Sequence, residues 1–258
     1  MSDAGPHRLV ALGASNLTRG FQTVVAAARE TWGGDVEVLA ALGHGRSYGG
    51  DSRFLLRGLP GILQSGLWGE LSRRRAAPTH AILTDVGNDV AYGHGPDRTL
   101  AWVEECLERL APFTHDVTLT DLPLAGLRRL SRARYLLFRT VLVPSCRLPL
   151  ARVLADAERV SGGLAAIAAR RGLRLVRLRP EWYGFDPIHI RRALWRPAWR
   201  EILLGEGAVA PDGGAPGSWR EALHLYRLPP ERRRLCGRER VVAQEGLVLP
   251  RGGRVWLY

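Results

Sequence analysis

The sequence contains no lysine and one methionine, so all 37 of its basic residues are arginine. Cysteine is scarce too: Cys106, Cys146 and Cys236 lie far apart and form no C-x-x-C pair. An odd number at such spacing argues against a disulfide framework and a zinc site, and reads as reduced, partly buried thiols. His44, His80, His94 and His115 are scattered without metal-ligand spacing. There is no dinucleotide-binding fingerprint and no P-loop. Neither a metal nor an organic cofactor is expected. No apolar run approaches the roughly 20 residues that cross a bilayer. The opening stretch MSDAGPHRLVALG lacks a basic n-region, a long h-region and an A-x-A-like cleavage site. The expectation is a cytoplasmic protein without membrane association.

Acidic residues are outnumbered, 25 against 37, giving a formal charge of +12. Such an excess suits a polyanionic partner when it is concentrated on one face. Here it is dispersed into short clusters at 73–75, 132–134 and 232–234, with no long basic tract interleaved with aromatics. A solvated arginine-rich surface is the simpler reading, and no nucleic-acid partner is expected. The 258 residues, 46% of them hydrophobic, are enough for one large domain, or one domain with a small appendage.

Short apolar runs alternate with helical patterns. Residues 8–13, 35–42, 79–86, 115–122 and 173–178 read as strands. Residues 18–32, 53–74 (broken near Pro60-Gly61), 97–111, 126–143, 150–171 and the stretch from about Ile188 to Leu204 read as helices. This alternation implies a parallel sheet covered on both faces. The expected architecture is a three-layer α/β/α domain over residues 1–204, flavodoxin-like, with a five-stranded parallel sheet. Residues 205–258 open with a Pro/Gly/Ala-rich connection and end in short strands joined by tight turns, a β-rich C-terminal extension of unknown function.

In such sheets function gathers in the loops leaving the carboxyl ends of strands. Those loops read GASN, GHGRSYGG, GNDVAYGHG and RPEWYGFDPIH. Ser15 stands where the first strand meets a helix, whose N-terminus offers unpaired N–H groups and a positive dipole end. Alone, the segment reads better as a helix cap supplied by Ser15 or Asn16. Asp186 and His189 share a three-residue spacing that lets the carboxylate reach Nδ1 and leaves Nε2 free to take a proton. Asn88, at a strand end, has a side-chain amide that can donate to an oxyanion, although an Asn-Asp turn is equally ordinary.

In this order, on these strand ends, the residues resemble the SGNH (GDSL-type) hydrolase family. That family carries a Ser after strand one, a Gly after strand two, an Asn in a G-x-N-D-like block and a late Asp-x-x-His. The resemblance spans roughly residues 8–200. It implies Ser15 as nucleophile, His189 as general base and Asp186 as its orienter. The implied oxyanion donors are the N–H groups of Ser15 and Gly45 and the amide of Asn88. GHGRSYGGDSRF also resembles the second block of carbohydrate acetylesterases in that family. The implied activity is serine-dependent ester hydrolysis through an acyl-enzyme, on a small acyl, acetyl-like ester. Arg46, Tyr48, Trp182 and Tyr183 are candidates for touching the substrate.

The sequence departs from the family pattern at Ala14, where an Asp usually precedes the serine, at Asn16, and at Val86 in place of a frequent glycine. Gly43 competes with Gly45. A rival nucleophile lies in Gly45-Arg46-Ser47-Tyr48-Gly49, which matches the G-x-S-x-G elbow of α/β-hydrolases but has only two strands before it. The literal Gly-Asp-Ser at 50–52 follows no strand end, so Ser52 reads as a decoy. Two other classes stay open: an inactive member of the fold that binds a ligand or partner, and a basic nucleic-acid-binding protein.

Overall fold

Short, largely apolar runs, too short for helices, build the inner strands of the main sheet. The computed structural model describes residues 6–33, 35–54, 57–143, 146–207 and 219–258. In chain order the strands are β1 (His7–Leu12), β2 (Val36–Ala41), β3 (Ser52–Phe54), β4 (Arg57–Leu59), β5 (Thr79–Leu83), β6 (Val117–Thr120), β7 (Arg174–Val176), β8 (Arg232–Leu235), β9 (Arg238–Val241), β10 (Leu247–Val248) and β11 (Arg254–Leu257). The helices are α1 (Ser15–Trp32), α2 (Leu67–Arg73), α3 (Gly87–Ala91), α4 (Pro96–Leu110), α5 (Leu124–Arg128), α6 (Arg132–Leu142), α7 (Leu150–Arg171), α8 (Trp195–Leu204) and α9 (Trp219–Arg227).

The central sheet runs β10-β11-β2-β1-β5-β6-β7. Its pairs are parallel except β10 with β11. The five strands read from the sequence are β1, β2, β5, β6 and β7, and they lie in the flavodoxin-like order. The sheet is wider than expected, with seven strands rather than five, because β10 and β11 of the C-terminal segment extend it beyond β2. A second, antiparallel sheet runs β3-β4-β8-β9.

Side chains of successive strand residues bury against opposite layers. Val10, Leu12, Ala81 and Leu83 pack with residues of α2, α4 and α7. Leu9, Ala11, Val38 and Ile82 pack with residues of α1 and α8. Both faces are therefore covered, as continuous apolar parallel strands require.

The long helix expected over 53–74 is not there. Its first half forms the β3–β4 hairpin, a 3₁₀ turn follows at Ile62–Gln64, and only Leu67–Arg73 is α-helical. Two causes act together. Gly58, Pro60 and Gly61 weaken a helix, and β8, far along the chain, offers a strand edge in the register Arg57↔Leu235 and Gly58↔Arg234. The helix expected over 126–143 divides into α5 and α6, where the Ser131 side chain accepts a bond from the Arg134 N–H and caps α6.

Arg46 joins the loop after β2 to the end of the chain. Its guanidinium is fully buried and donates to the carbonyls of Pro60 (3.1 Å), Leu42 (3.2 Å) and Tyr258. Burial lowers its pKa to about 9. Substituting Arg46→Ala strands these acceptors, so a loss of about 2–4 kcal/mol is expected in denaturant unfolding. A variant within about 0.5 kcal/mol of the parent would show that the bonds contribute nothing net.

Candidate active site

β1 ends at Leu12, and Gly13 turns the chain by donating its N–H to Ala41 O at 3.1 Å. Only glycine fits there, because a Cβ would lie 2.6 Å from Thr84 Cγ2. α1 then begins at Ser15, with Ala14 as its N-cap and no acidic residue in its first turn. The cap comes from the end of β5. Asp85 Oδ2 accepts from the N–H groups of Ala14 (2.9 Å), Asn16 (3.0 Å) and Leu17 (3.1 Å). Asp85 Oδ1 accepts from Asn16 Nδ2 at 2.8 Å.

The loop after β7 brings the other half. Asp186 Oδ1 accepts from the N–H groups of Ile188 and His189, both at 3.1 Å, which folds the loop back on itself. Asp186 Oδ2 lies 2.6 Å from His189 Nδ1, and His189 Nε2 lies 2.9 Å from Ser15 Oγ. With Nδ1 facing a carboxylate, the proton sits on Nδ1 and Nε2 accepts from the serine hydroxyl. Burial of Asp186 opposes its ionisation, but the hydrogen bond and charge of His189 and the two N–H donors outweigh it, holding the carboxyl below its ordinary range. Arg19, one turn along α1 from Ser15, places Nη1 3.9 Å from Asp186 Oδ2.

The N–H of Ser15 and that of Gly45, in the loop after β2, have no partner among the described residues. Gly45 holds φ at 67°, a left-handed conformation that glycine adopts freely. The Asn88 amide has only a long contact, 3.4 Å to Arg46 O. His44, beside Gly45, has its pKa lowered chiefly by desolvation of the ring, with the positive charges of Arg19 and Arg57 adding to it. It therefore belongs to this corner of the molecule, although its lone position in the sequence suggested no role.

The four residues expected at the substrate are all buried. Arg46 and Tyr48 are 0% exposed, and the Tyr48 hydroxyl donates to Thr84 O at 2.8 Å. Trp182 and Tyr183 are buried in the layer shared with α1 and α8. A glycine-rich loop reads as surface, but Arg46 in this one is tied to Tyr258 O, and Arg234 of β8 lies 3.8 Å from Asp51. Phe185 is the aromatic residue of its loop that reaches solvent, at 68% exposure, with its ring 5.5 Å from that of Phe138.

Ser47 is also fully buried. Its hydroxyl donates to Asp89 Oδ1 and accepts from the Gly50 N–H at 2.8 Å, with no histidine in the arrangement. Burial raises the Asp89 pKa to about 6, against the bonds from Ser47 and Tyr48 that lower it. The Gly-Arg-Ser-Tyr-Gly stretch is thus a buried polar anchor. Ser52 lies on β3, its hydroxyl 3.3 Å from Leu59 O. Asp85 escaped the sequence reading, and Asn16 entered it as a departure from the family pattern, without a role at the site. The available signal was an acidic residue at the carboxyl end of the strand neighbouring the one that carries Ser15.

No protein-family model matches the sequence, and no curated protein matches it. Several solved structures are similar to it. One is a member of the lipolytic G-D-S-L family from Veillonella parvula, with 11% identity, TM-score 0.48, and coverage of 78% of this chain and 100% of that one. Another is a carbohydrate acetylesterase family member from Sinorhizobium meliloti, with 13% identity, TM-score 0.49, and coverage of 76% and 95%. A third is AlinE4, an SGNH-hydrolase family esterase, with 16% identity, TM-score 0.44, and coverage of 87% and 92%. Among the described residues, no helix is long and apolar enough to cross a membrane.

The lowered pKa of Asp186 makes a prediction about stability. A carboxylate with a depressed folded-state pKa stabilises the fold above its ordinary value of 3.8, and that contribution is lost as pH falls through the folded value. The stability difference between the parent and Asp186→Asn should therefore be constant at neutral pH and shrink under acid, measured by urea unfolding across pH. A difference that grows as pH falls would contradict the assigned hydrogen bonds.

Proposed function

We propose that this protein is a serine ester hydrolase that works through an acyl-enzyme at Ser15. The observation that carries the reading is the continuous run of bonds from Ser15 Oγ through both nitrogens of His189 to Asp186. A serine hydroxyl is a weak nucleophile until a base accepts its proton, and that base must be oriented. Both conditions are met here, beside a helix N-terminus.

In the proposed reaction His189 Nε2 takes the Ser15 proton as Oγ bonds to the ester carbonyl carbon. The oxygen of the tetrahedral intermediate accepts from the N–H groups of Ser15 and Gly45 and from Asn88 Nδ2. The intermediate collapses by breaking the bond to the alcohol oxygen, which leaves with the proton held by His189. Water then gives a proton to His189 and attacks the acyl carbon. Collapse of the second intermediate releases the acid and returns the proton to Ser15. The proposed substrate is a small acyl, acetyl-like ester, a reading supported by the resemblance of GHGRSYGGDSRF to the acetylesterase block.

Wild-type protein should take up a serine-directed phosphonate and hydrolyse p-nitrophenyl acetate. Ser15→Ala should lose both while retaining its circular dichroism, and Ser47→Ala should retain both. A folded wild type inert to the phosphonate would leave a ligand-binding protein as the better reading. Asn88→Ala should lower kcat by about 10²–10³-fold, the range seen when one oxyanion donor is removed. An unchanged kcat would remove Asn88 from the site.

A further inference from the structure

Asp85 is a non-glycine residue in the left-handed region, with φ at 62°. Such a conformation costs free energy and persists where surrounding bonds over-determine it. Here the bonds are visible. One carboxylate oxygen covers the N–H groups of Ala14, Asn16 and Leu17, and the other holds Asn16 Nδ2. Of the N–H groups from Ala14 to Leu17, that of Ser15 alone is left without a partner among the described residues.

Asn16 carries the contact onward. Its Nδ2 also donates to Ile188 O at 2.8 Å, and its Oδ1 accepts from the Ile190 N–H at 2.8 Å. These two backbone groups flank His189. Each polar atom of the Asn16 amide is thus used: Nδ2 is shared between Asp85 Oδ1 and Ile188 O, and Oδ1 meets the Ile190 N–H, so the amide fits all three partners in one orientation. Ser15 and His189 sit on segments 174 residues apart, and this pair of side chains ties the segments directly.

We propose that Asp85, acting through Asn16, is the positioning residue of the site. It selects the Ser15 N–H as the free donor of the α1 terminus and fixes the spacing between the serine and the imidazole. This inference rests on the hydrolase reading. An amide in place of the carboxylate loses an acceptor and sets an NH₂ group against Asn16. Turning the Asn16 amide to suit would then mismatch it with both Ile188 O and the Ile190 N–H.

The test compares wild type, Asp85→Asn, Asn16→Ala and the double variant, with rates normalised to phosphonate-labelled sites and amide exchange followed by NMR. For Asp85→Asn we expect kcat for p-nitrophenyl acetate to fall by about 100-fold, the cost of a small misplacement, with KM little changed. The Ile190 amide, which Asp85 does not touch, should exchange faster. The two single effects should be non-additive in the double variant, because the residues act as one unit. A purely structural role would lower the melting temperature but leave kcat per labelled site and the Ile190 exchange unchanged, and that result overturns the proposal. Should Asp85→Asn fail to fold, Asn16→Ala carries the test, because it keeps the Asp85 bonds to backbone. The same fall in kcat supports the proposal, and an unchanged kcat overturns it. A wild type that resists the phosphonate overturns the hydrolase reading itself, whereas a labelled wild type with an unimpaired Asp85→Asn overturns the positioning role alone.

Discussion

The parallel pairing of β1 between β2 and β5 is the constraint on which the site depends. Leu12 stands beside Ala41 on one side and Leu83 on the other, so three chains end at the same level. Their continuations carry Ser15, Gly45, Asp85 and Asn88. A slip of one residue would exchange the two buried faces of the strand, moving Leu9 and Ala11 into the layer of Val10 and Leu12. Burial of both faces thus sets the register, and the register sets which loops meet.

What the strands bring near, polar bonds hold in place. The stretch from 43 to 51 has no helix or strand of its own, and its backbone groups need partners. Side chains anchor it: Arg46 reaches three carbonyls, Asp89 takes the Tyr48 N–H and the Ser47 hydroxyl, and the Tyr92 hydroxyl donates to Gly45 O. The C-terminal segment completes the arrangement from outside, with β8 on β4 and β11 on β2. Its residues lie far from Ser15 in sequence, yet they close the loop that carries Gly45.

Three carboxylates near this corner behave differently because their surroundings differ. Asp186 meets an imidazole and two N–H groups, which favour its charge over the opposing effect of burial. Asp89 meets a hydroxyl and one N–H in a buried setting, where desolvation dominates and its pKa rises to about 6. Asp85 spends its oxygens on a helix terminus, in the place an N-cap side chain would otherwise take. The position before the serine, where the resembling family carries Asp, is Ala14, so the carboxylate at this turn comes from a neighbouring strand.

The sequence by itself determined the strand–helix alternation, the five parallel strands and the order in which Ser15, Asn88, Asp186 and His189 occur, because periodicity and turn residues are local properties. It also marked the Asp186–His189 pair, whose spacing of three lets one loop close on itself. Only the tertiary structure decided that Ser47 and Arg46 face inward, that β3 pairs with β4, that the chain end widens the main sheet, and that Asp85 caps α1 through Ala14 and Leu17. Each of these depends on pairing between segments remote in sequence. A glycine-rich loop does not reveal which distant strand will cover it, and a lone aspartate at a strand end does not reveal whose N–H groups it will meet. Burial and hydrogen-bond satisfaction are properties of the assembled chain, and they chose among readings that local pattern left equal.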